Sequence, residues 1–203
     1  MLLAFDTSSA ACTVALFDGD GICVARADEV IGRGHAERLV PMIAEVMDGR
    51  SASKILVGVG PGSFTGIRVA IAAAHGLAIG WDAELKGMSS LALLAAGAAS
   101  VGKVAAAVTG GHGELFVQQF DAATLAPTST LHNAAPAEAG RLIDAPLVVG
   151  SGAQALVSAR GSGEARERWP SAANSNLLPA ALRELPAKPL YARAPDARVP
   201  EAA

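Results

Sequence analysis

Residues 2–5 (Leu-Leu-Ala-Phe) form a short apolar run that stops at Asp6-Thr7-Ser8-Ser9, the pattern of a strand entering a polar turn. Two further β-rich runs, 12–17 and 22–25, are joined by Asp18-Gly19-Asp20-Gly21. An Asp-Gly turn between such runs is a strong hairpin signal, so the chain opens as a three-stranded antiparallel meander. The period then changes. Leu39, Met42, Ile43 and Val46 stand at i, i+3, i+4 and i+7 and predict a helix over 35–47, ended by Asp48-Gly49. Pro41 is expected in its first turn or at a kink. Residues 55–59 are continuously apolar, as in a central parallel strand. They lead through Gly60-Pro61-Gly62-Ser63-Phe64-Thr65-Gly66 into a helix over 67–80, with Ser63 or Thr65 as its cap.

That second helix is apolar almost all round. Only Arg68 and His75 interrupt it, and Ala72, Gly76 and Gly80 make a stripe of small residues. A surface helix of a monomer shows a polar face, so this one is either sandwiched inside the protein or meets another protein. Beyond it, 91–108 carries a single charge, Lys103, but is built of Ala, Gly and Ser and broken by Gly102-Lys103. It reads as a buried helix and then a buried strand over 104–108 rather than as a membrane span. Strands over 114–120 and 147–149 follow, then Gly150-Ser151-Gly152 and a helix from Ala153. A polar surface loop is expected over 158–170, a helix over 177–185, and a fraying tail over 195–203. No repeat of fixed period appears. The pattern divides into an N-terminal lobe over 1–103, with 187–203 packing back on it, and a smaller lobe over 104–186.

Composition narrows the chemistry. Charged residues are 17% of the 203, against about 25% in an average soluble domain. Net charge is −3 and aromatics are 4%, which argues against a chain that grips nucleic acid alone by phosphate contact or base stacking. Cys12 and Cys23 form no CxxC, which excludes a disulfide framework or zinc ribbon and fits a reducing cytosol. The N-terminus lacks the pattern of a secretion signal. The expected location is cytoplasmic.

Strand, glycine-rich turn and helix N-terminus at 60–66 make a candidate anion site through Gly60, Gly62, Ser63 and Thr65. It is neither a Walker A loop nor a dinucleotide fingerprint. Gly150 and Gly152 repeat the arrangement in outline, although such a turn is usually only a turn. Asp6, with Thr7 and Ser8, could hold magnesium or orient a phosphate, or could form an Asx turn that caps its own loop. No histidine accompanies Ser8, Ser9 or Ser63 in a nucleophile signature. His35, His75, His112 and His132 are scattered, so neither a catalytic group nor a metal ligand set is identified.

Asp6-Thr7-Ser8, His35 ahead of Leu39-Val40-Pro41-Met42-Ile43, the segment 60–69 and Tyr191-x-Arg193, in this order, resemble the TsaB (YeaZ) family. The resemblance implies an α/β protein of the actin-like ATPase (RNase H-like) fold with two lobes, the second abbreviated. It implies a non-catalytic scaffold required for N6-threonylcarbamoyladenosine formation in tRNAs that read ANN codons. The catalytic partner would be TsaD, bound as a heterodimer, with the ATPase TsaE in a ternary complex; alone, the chain would form a homodimer. Contact with tRNA would occur only within the complex, and no membrane is involved. TsaD carries a metal-binding His-x3-His; here His35 is kept and Leu39 replaces the other, so no metal and no transferase activity are expected. No cofactor is required, although weak ATP or ADP binding is allowed. Pairing would use His35, Leu39, Met42 and Ile43 of the first helix. From the second it would use Arg68, Val69, Ala72, Ala73, Gly76 and Gly80. The competing expectation is a small ATP-dependent phosphotransferase or hydrolase of the same superfold, working through Asp6 and 60–66. Ahead of Gly113-Glu114 the family often has Asp and Arg, where this chain has Thr109 and Gly111.

Overall fold

The computed structural model describes residues 1–98 and 100–190. Tyr191, Arg193 and the rest of the tail expected to pack back on the first lobe lie outside the described residues. The opening meander forms as β1 (Leu2–Asp6), β2 (Ala11–Phe17) and β3 (Cys23–Val30), each antiparallel to the next. Helix α1 (His35–Met47) returns the chain to β4 (Lys54–Gly58), parallel to β1. Helix α2 (Phe64–Trp81) then leads to β5 (Glu84–Met88), parallel to β4. The first sheet is therefore ordered β3-β2-β1-β4-β5.

After α3 (Ser90–Ala96) the pattern recurs. Strands β6 (Lys103–Thr109), β7 (Leu115–Asp121) and β8 (His132–Ala134) form a second antiparallel meander. Helix α4 (Pro136–Leu142) leads to β9 (Leu147–Val149), parallel to β6. Helix α5 (Ala153–Arg160) leads to β10 (Glu164–Arg166), parallel to β9. The second sheet runs β10-β9-β6-β7-β8, the same order counted from its own first strand. Sequence reading missed β5, β8, α4 and β10; three of these four are only three or seven residues long and carry too little apolar periodicity to be seen. The loop expected over 158–170 contains β10. In place of a helix over 177–185 there is a 3₁₀ turn, Ala172–Leu177, and a single helical turn α6 (Ala180–Arg183).

Strand alternation sorts the core into three layers. Leu3 and Phe5 of β1, Val14 and Leu16 of β2 and Ile55 and Val57 of β4 meet α1 and α2 on the outer face of the first sheet. The opposite face gives Ala4, Phe17 and Leu56 to a layer shared with α3 and with Val104, Ala106, Phe120 and Val149 of the second sheet. The outer face of that sheet gives Ala105, Val117 and Val148 to α4 and α5. The low-charge stretch 91–108 is thus α3 and β6, both between or within sheets and largely buried.

Pro41 sits at the seventh position of α1, beyond the first turn, and the helix runs on through it. Residues 171–178, expected in the second lobe, lie between the sheets. Ala172 N–H donates to Thr13 Oγ1 (2.7 Å), Ser171 Oγ to Asp28 (3.0 Å) and Asn176 Nδ2 to the Gly21 carbonyl (2.8 Å). The chain then follows the β5 edge, where Leu185 and Gly87 exchange backbone bonds and Leu190 N–H donates to the Val59 carbonyl (2.8 Å).

Candidate functional site

The glycine-rich turn between β4 and α2 folds onto the loop that follows β1. Ser63 N–H donates to the Ser8 carbonyl (2.6 Å) and Thr7 Oγ1 to the Gly66 carbonyl (2.7 Å). Close approach is the reason for glycine here. A Cβ on Gly62 would stand 2.1 Å from the Ser8 carbonyl oxygen, and one on Gly66 1.9 Å from that of Thr7. Ser63, not Thr65, is the cap of α2, accepting the Gly66 N–H (3.2 Å).

Asp6 is 0% exposed and fully engaged. Its Oδ1 accepts Ser8 N–H and Ser8 Oγ–H, both at 2.7 Å, which is the Asx turn. Its Oδ2 accepts Ser90 Oγ–H (2.5 Å), and the same Ser90 oxygen accepts the Gly60 N–H (3.1 Å). One carboxylate thereby ties together the end of β1, the turn after β4 and the start of α3. Gly58 makes room for it, since a Cβ there would overlap Asp6 Oδ2.

The sequence-based anion site is therefore corrected. Asp6, Thr7 and Gly60 are buried, and the N–H groups of Gly60, Ser63 and Gly66 are spent inside the protein. Gly150 and Gly152 are buried as well. Gly150 N–H donates to the Arg166 carbonyl and Gly152 N–H to that of Ala107, both at 3.0 Å, while Ser151 Oγ accepts the Thr109 N–H (3.1 Å). Of the residues expected to meet a ligand, Ser8, Ser63 and Thr65 line a cleft of about 690 Å³ between the two sheets; the cleft also takes in Ser9 and His35, and Thr109, Ser151 and Trp169 from the second half. Trp169 was missed because it stands in a segment with no periodic signal. Among the described residues no group of three His, Cys, Asp or Glu is placed to hold a metal ion. The buried Cys12 thiol, pushed up to about 11 mainly by desolvation, is no nucleophile.

The expected pairing residues divide by burial. Leu39, Met42 and Ile43 point into the first sheet and are at most 4% exposed, so they cannot meet a partner. Periodicity identifies the apolar stripe of α1, and that stripe faces the core. The outward side of α1 carries Ala36, Val40 and Ala44 instead. On α2 the inward residues are Gly66, Ile67, Ala70 and Ala74; Val69 and Ala73 are half-buried. Ala72, Gly76 and Gly80 are exposed, with Ile79 at 84% beside them and the Arg68 guanidinium 3.3 Å above the Phe64 ring at the N-terminal end. By length and composition α2 is apolar enough to cross a membrane, and only 22% of it is buried within the protein. Beyond Arg68 its outer side is a surface of small and apolar residues with His75 among them.

The family model described as "TsaD: tRNA N6-adenosine threonylcarbamoyltransferase" matches residues 28–142, more than half of the chain. Named relatives agree. The Escherichia coli (strain K12) tRNA threonylcarbamoyladenosine biosynthesis protein TsaB is 37% identical over 127 residues, covering 59% of this chain and 54% of that protein. The protein of the same name from Haemophilus influenzae is 39% identical over 100 residues, covering 46% and 41%. The chain belongs to this family, in its TsaB (YeaZ) branch. The matched region spans about half the length of these curated relatives. Two solved Pseudomonas aeruginosa structures agree over almost the whole chain. One, of a protein described as similar to peptidase YeaZ, has a TM-score of 0.81 at 28% identity over 95% of this chain and 99% of that one. The other, YeaZ, has a TM-score of 0.76 at 26% identity, covering 94% and 98%. The α/β, actin-like architecture of the TsaB (YeaZ) family is therefore the architecture of this chain.

Proposed function

We propose that this protein is a non-catalytic subunit in the formation of N6-threonylcarbamoyladenosine in tRNAs that read ANN codons, and that it works by pairing with the catalytic subunit TsaD. The observation that carries this reading is the outer side of α2. Ala72, Gly76 and Gly80 lie one turn apart on a face whose only charged α2 residue is Arg68, one turn before Ala72, and a Cβ on Gly76 or Gly80 would meet nothing within 4 Å. A facing helix can approach such a stripe near the short end of the usual 8–10 Å separation. Covering it removes apolar surface from water, at about 25 cal/mol per Å².

Two further observations support the absence of chemistry in this subunit. The position four residues after His35 holds Leu39, which is wholly buried among Met42, Phe5 and Val14, so no second imidazole stands beside His35. The carboxylate on which a phosphotransferase would rely, Asp6, is enclosed and hydrogen-bonded at both oxygens. The reading requires no cofactor. Contact with tRNA belongs to the assembled complex, in keeping with the net charge of −3. TsaE joins that complex as its ATPase, and the same face of α2 pairs two copies of the chain when TsaD is absent.

Light-scattering mass of the purified chain, alone and mixed with TsaD, tests the proposal. The expected result is a homodimer alone and a one-to-one complex in the mixture. Gly76→Arg, at an open position, should abolish both while leaving the circular dichroism spectrum unchanged. A complex that survives Gly76→Arg would move the interface to another face. A chain that never associates with TsaD would overturn the reading.

A further inference from the structure

The first sheet ends in an open strand. Along β5 the chain 185–190 returns and bonds to the edge, whereas β3 has β2 on one side and, among the described residues, no strand on the other. The phase of the β2–β3 ladder decides which backbone groups of β3 face outward. Ile31 N–H donates to the Ala10 carbonyl (3.0 Å), and the register Ala11↔Val30, Cys12↔Glu29 carries that pairing into the strand. Bonded and non-bonded pairs alternate in an antiparallel ladder. Ala25, Ala27 and Glu29 therefore bond to β2, and Arg26, Asp28 and Val30 turn their N–H and C=O groups away from it. Val24 is the extra residue of a bulge, since Leu16 pairs with Ala25 and Phe17 with Cys23. The edge that can accept another strand is thus short and centred on Ala27.

Charges normally blunt such an edge. Here they have both signs: Arg26 and Asp28 are exposed, and neither makes an ion pair among the described residues. Ala25 and Ala27 pack toward α1, so Arg26 and Asp28 lie together on the opposite face. Asp28 is held in place there, accepting the hydroxyls of Thr13 and Ser171. This pattern rejects an arbitrary strand but complements itself. When two copies pair antiparallel about a two-fold axis at Ala27, Arg26 of each stands opposite Asp28 of the other. Both are positions whose backbone groups point outward and can exchange hydrogen bonds. An axis at Arg26 or at Asp28 would set like charges face to face. A shift by one residue would oppose outward groups to inward ones.

We propose that β3 is an interface for a second copy of this chain, joined edge to edge and antiparallel with Arg26 opposite Asp28, so that the two first sheets continue as one. This contact is separate from the α2 face. Helix α2 packs on β4 and β5, at the other end of the sheet, so both surfaces can be occupied at once. The two bonded pairs exchange only about four backbone hydrogen bonds, against about ten in a typical interface. Association is therefore weak, with a dissociation constant of about 0.1–1 mM, and negligible at the micromolar concentrations where pairing through α2 is measured.

Sedimentation equilibrium tests this on the full chain carrying Gly76→Arg, which removes contact through α2. From about 10 μM to 1 mM it should show a monomer–dimer equilibrium. Arg26→Glu, at an exposed position, should raise the dissociation constant at least tenfold, because each dimer then holds two facing carboxylate pairs. Arg26→Lys should leave it within about threefold, and about 0.5 M NaCl should raise it several-fold. Cross-linking reads the register. In a Cys23→Ser background, Ala27→Cys should give a disulfide-linked dimer under mild oxidation, since residue 27 faces its own copy in a close, non-bonded pair. Val30→Cys should not, because its counterpart lies about 20 Å along the paired strand. A chain that stays monomeric at 1 mM, a dimer indifferent to Arg26→Glu, or equal cross-linking by the two cysteines would each overturn the proposal.

Discussion

On the outer face of the first sheet stand helices of 13 and 18 residues; on the second sheet, wired in the same strand order, the corresponding helices have 7 and 8. At 1.5 Å per residue α2 is about 27 Å long and α5 about 12 Å. Strands β4 and β5, at five residues each, span only about 17 Å, so α2 overhangs the sheet it covers and presents apolar surface that the molecule does not bury. Helix α5, against about 10 Å for the three-residue β9 and β10, overhangs by only about 2 Å. The same topology therefore leaves an extended apolar face on one side only, because α2 is longer and its exposed residues are small and apolar, where those of α5 include Gln154 and Ser158. The junctions are the conserved part of the plan. In both halves a glycine turn after the fourth strand is bonded to the end of the first strand, through Ser63 to Ser8 in one and Gly152 to Ala107 in the other.

Replacing a junction glycine in each half is the strongest challenge to that parallel. Gly66→Ala sets a Cβ 1.9 Å from the Thr7 carbonyl oxygen. Gly150→Ala sets one 2.2 Å from that of Ala107, at a φ of +116°. Each should cost about 3 kcal/mol or more in urea unfolding. A severe loss in the first with a mild one in the second would break the equivalence. Core truncation comes next. Leu39→Ala, under the long α1, should cost about 4 kcal/mol, and Leu156→Ala, under the short α5, about 2–3 kcal/mol, because the thinner layer relaxes more readily into the space.

Acid titration compares the surface clamps. Arg38 holds the carboxyls of Glu29 and Glu45 below their ordinary range by hydrogen bonds, and Lys103 does the same for Asp144. A lowered carboxylate stabilises above its unfolded pKa and loses that contribution as pH falls through the folded value. The Tm deficit of Arg38→Met should thus be full at pH 7 and shrink as pH falls below the ordinary carboxylate range. Lys103→Met should behave likewise with a smaller deficit, since one carboxylate is involved rather than two. The smallest effect concerns helix glycines. Gly76→Ala meets nothing and should stabilise the chain by up to about 1 kcal/mol. Gly140→Ala, whose Cβ would lie 3.2 Å from Arg160 Cβ across the α4–α5 contact, should gain nothing.

The legible parts of the sequence were those with long patterns. The meander, α1, β4, α2 and the 91–108 pair each run long enough for periodicity to show, and Ser63 was among the two expected caps. In the second half β6, β7, β9 and α5 were legible too, whereas β8 (His-Asn-Ala) and β10 (Glu-Ala-Arg) are three residues long with no apolar run, and the repetition of wiring is one of order, not of spacing. The candidate site misled in a specific way. Asp6 and the glycines have the composition of an anion site, but only tertiary contact reveals that Ser90, 84 residues away, closes over the carboxylate. Likewise the stripe 39, 42, 43 is the most apolar of α1 and for that reason the least available to a partner.

The segment 171–178 has a consequence for biosynthesis. The five strands of the first sheet leave the ribosome together, but the residues that seal their inner face follow Met88 by about ninety positions, or roughly 5–18 s at 5–20 residues per second. During that interval Ala4, Phe17 and Leu56 have α3 and, as they emerge, Val104, Ala106, Phe120 and Val149 against them, but not yet Ala172 and Leu178. The nascent chain thus passes through a stage in which an assembled first sheet still lacks the last part of its inner cover.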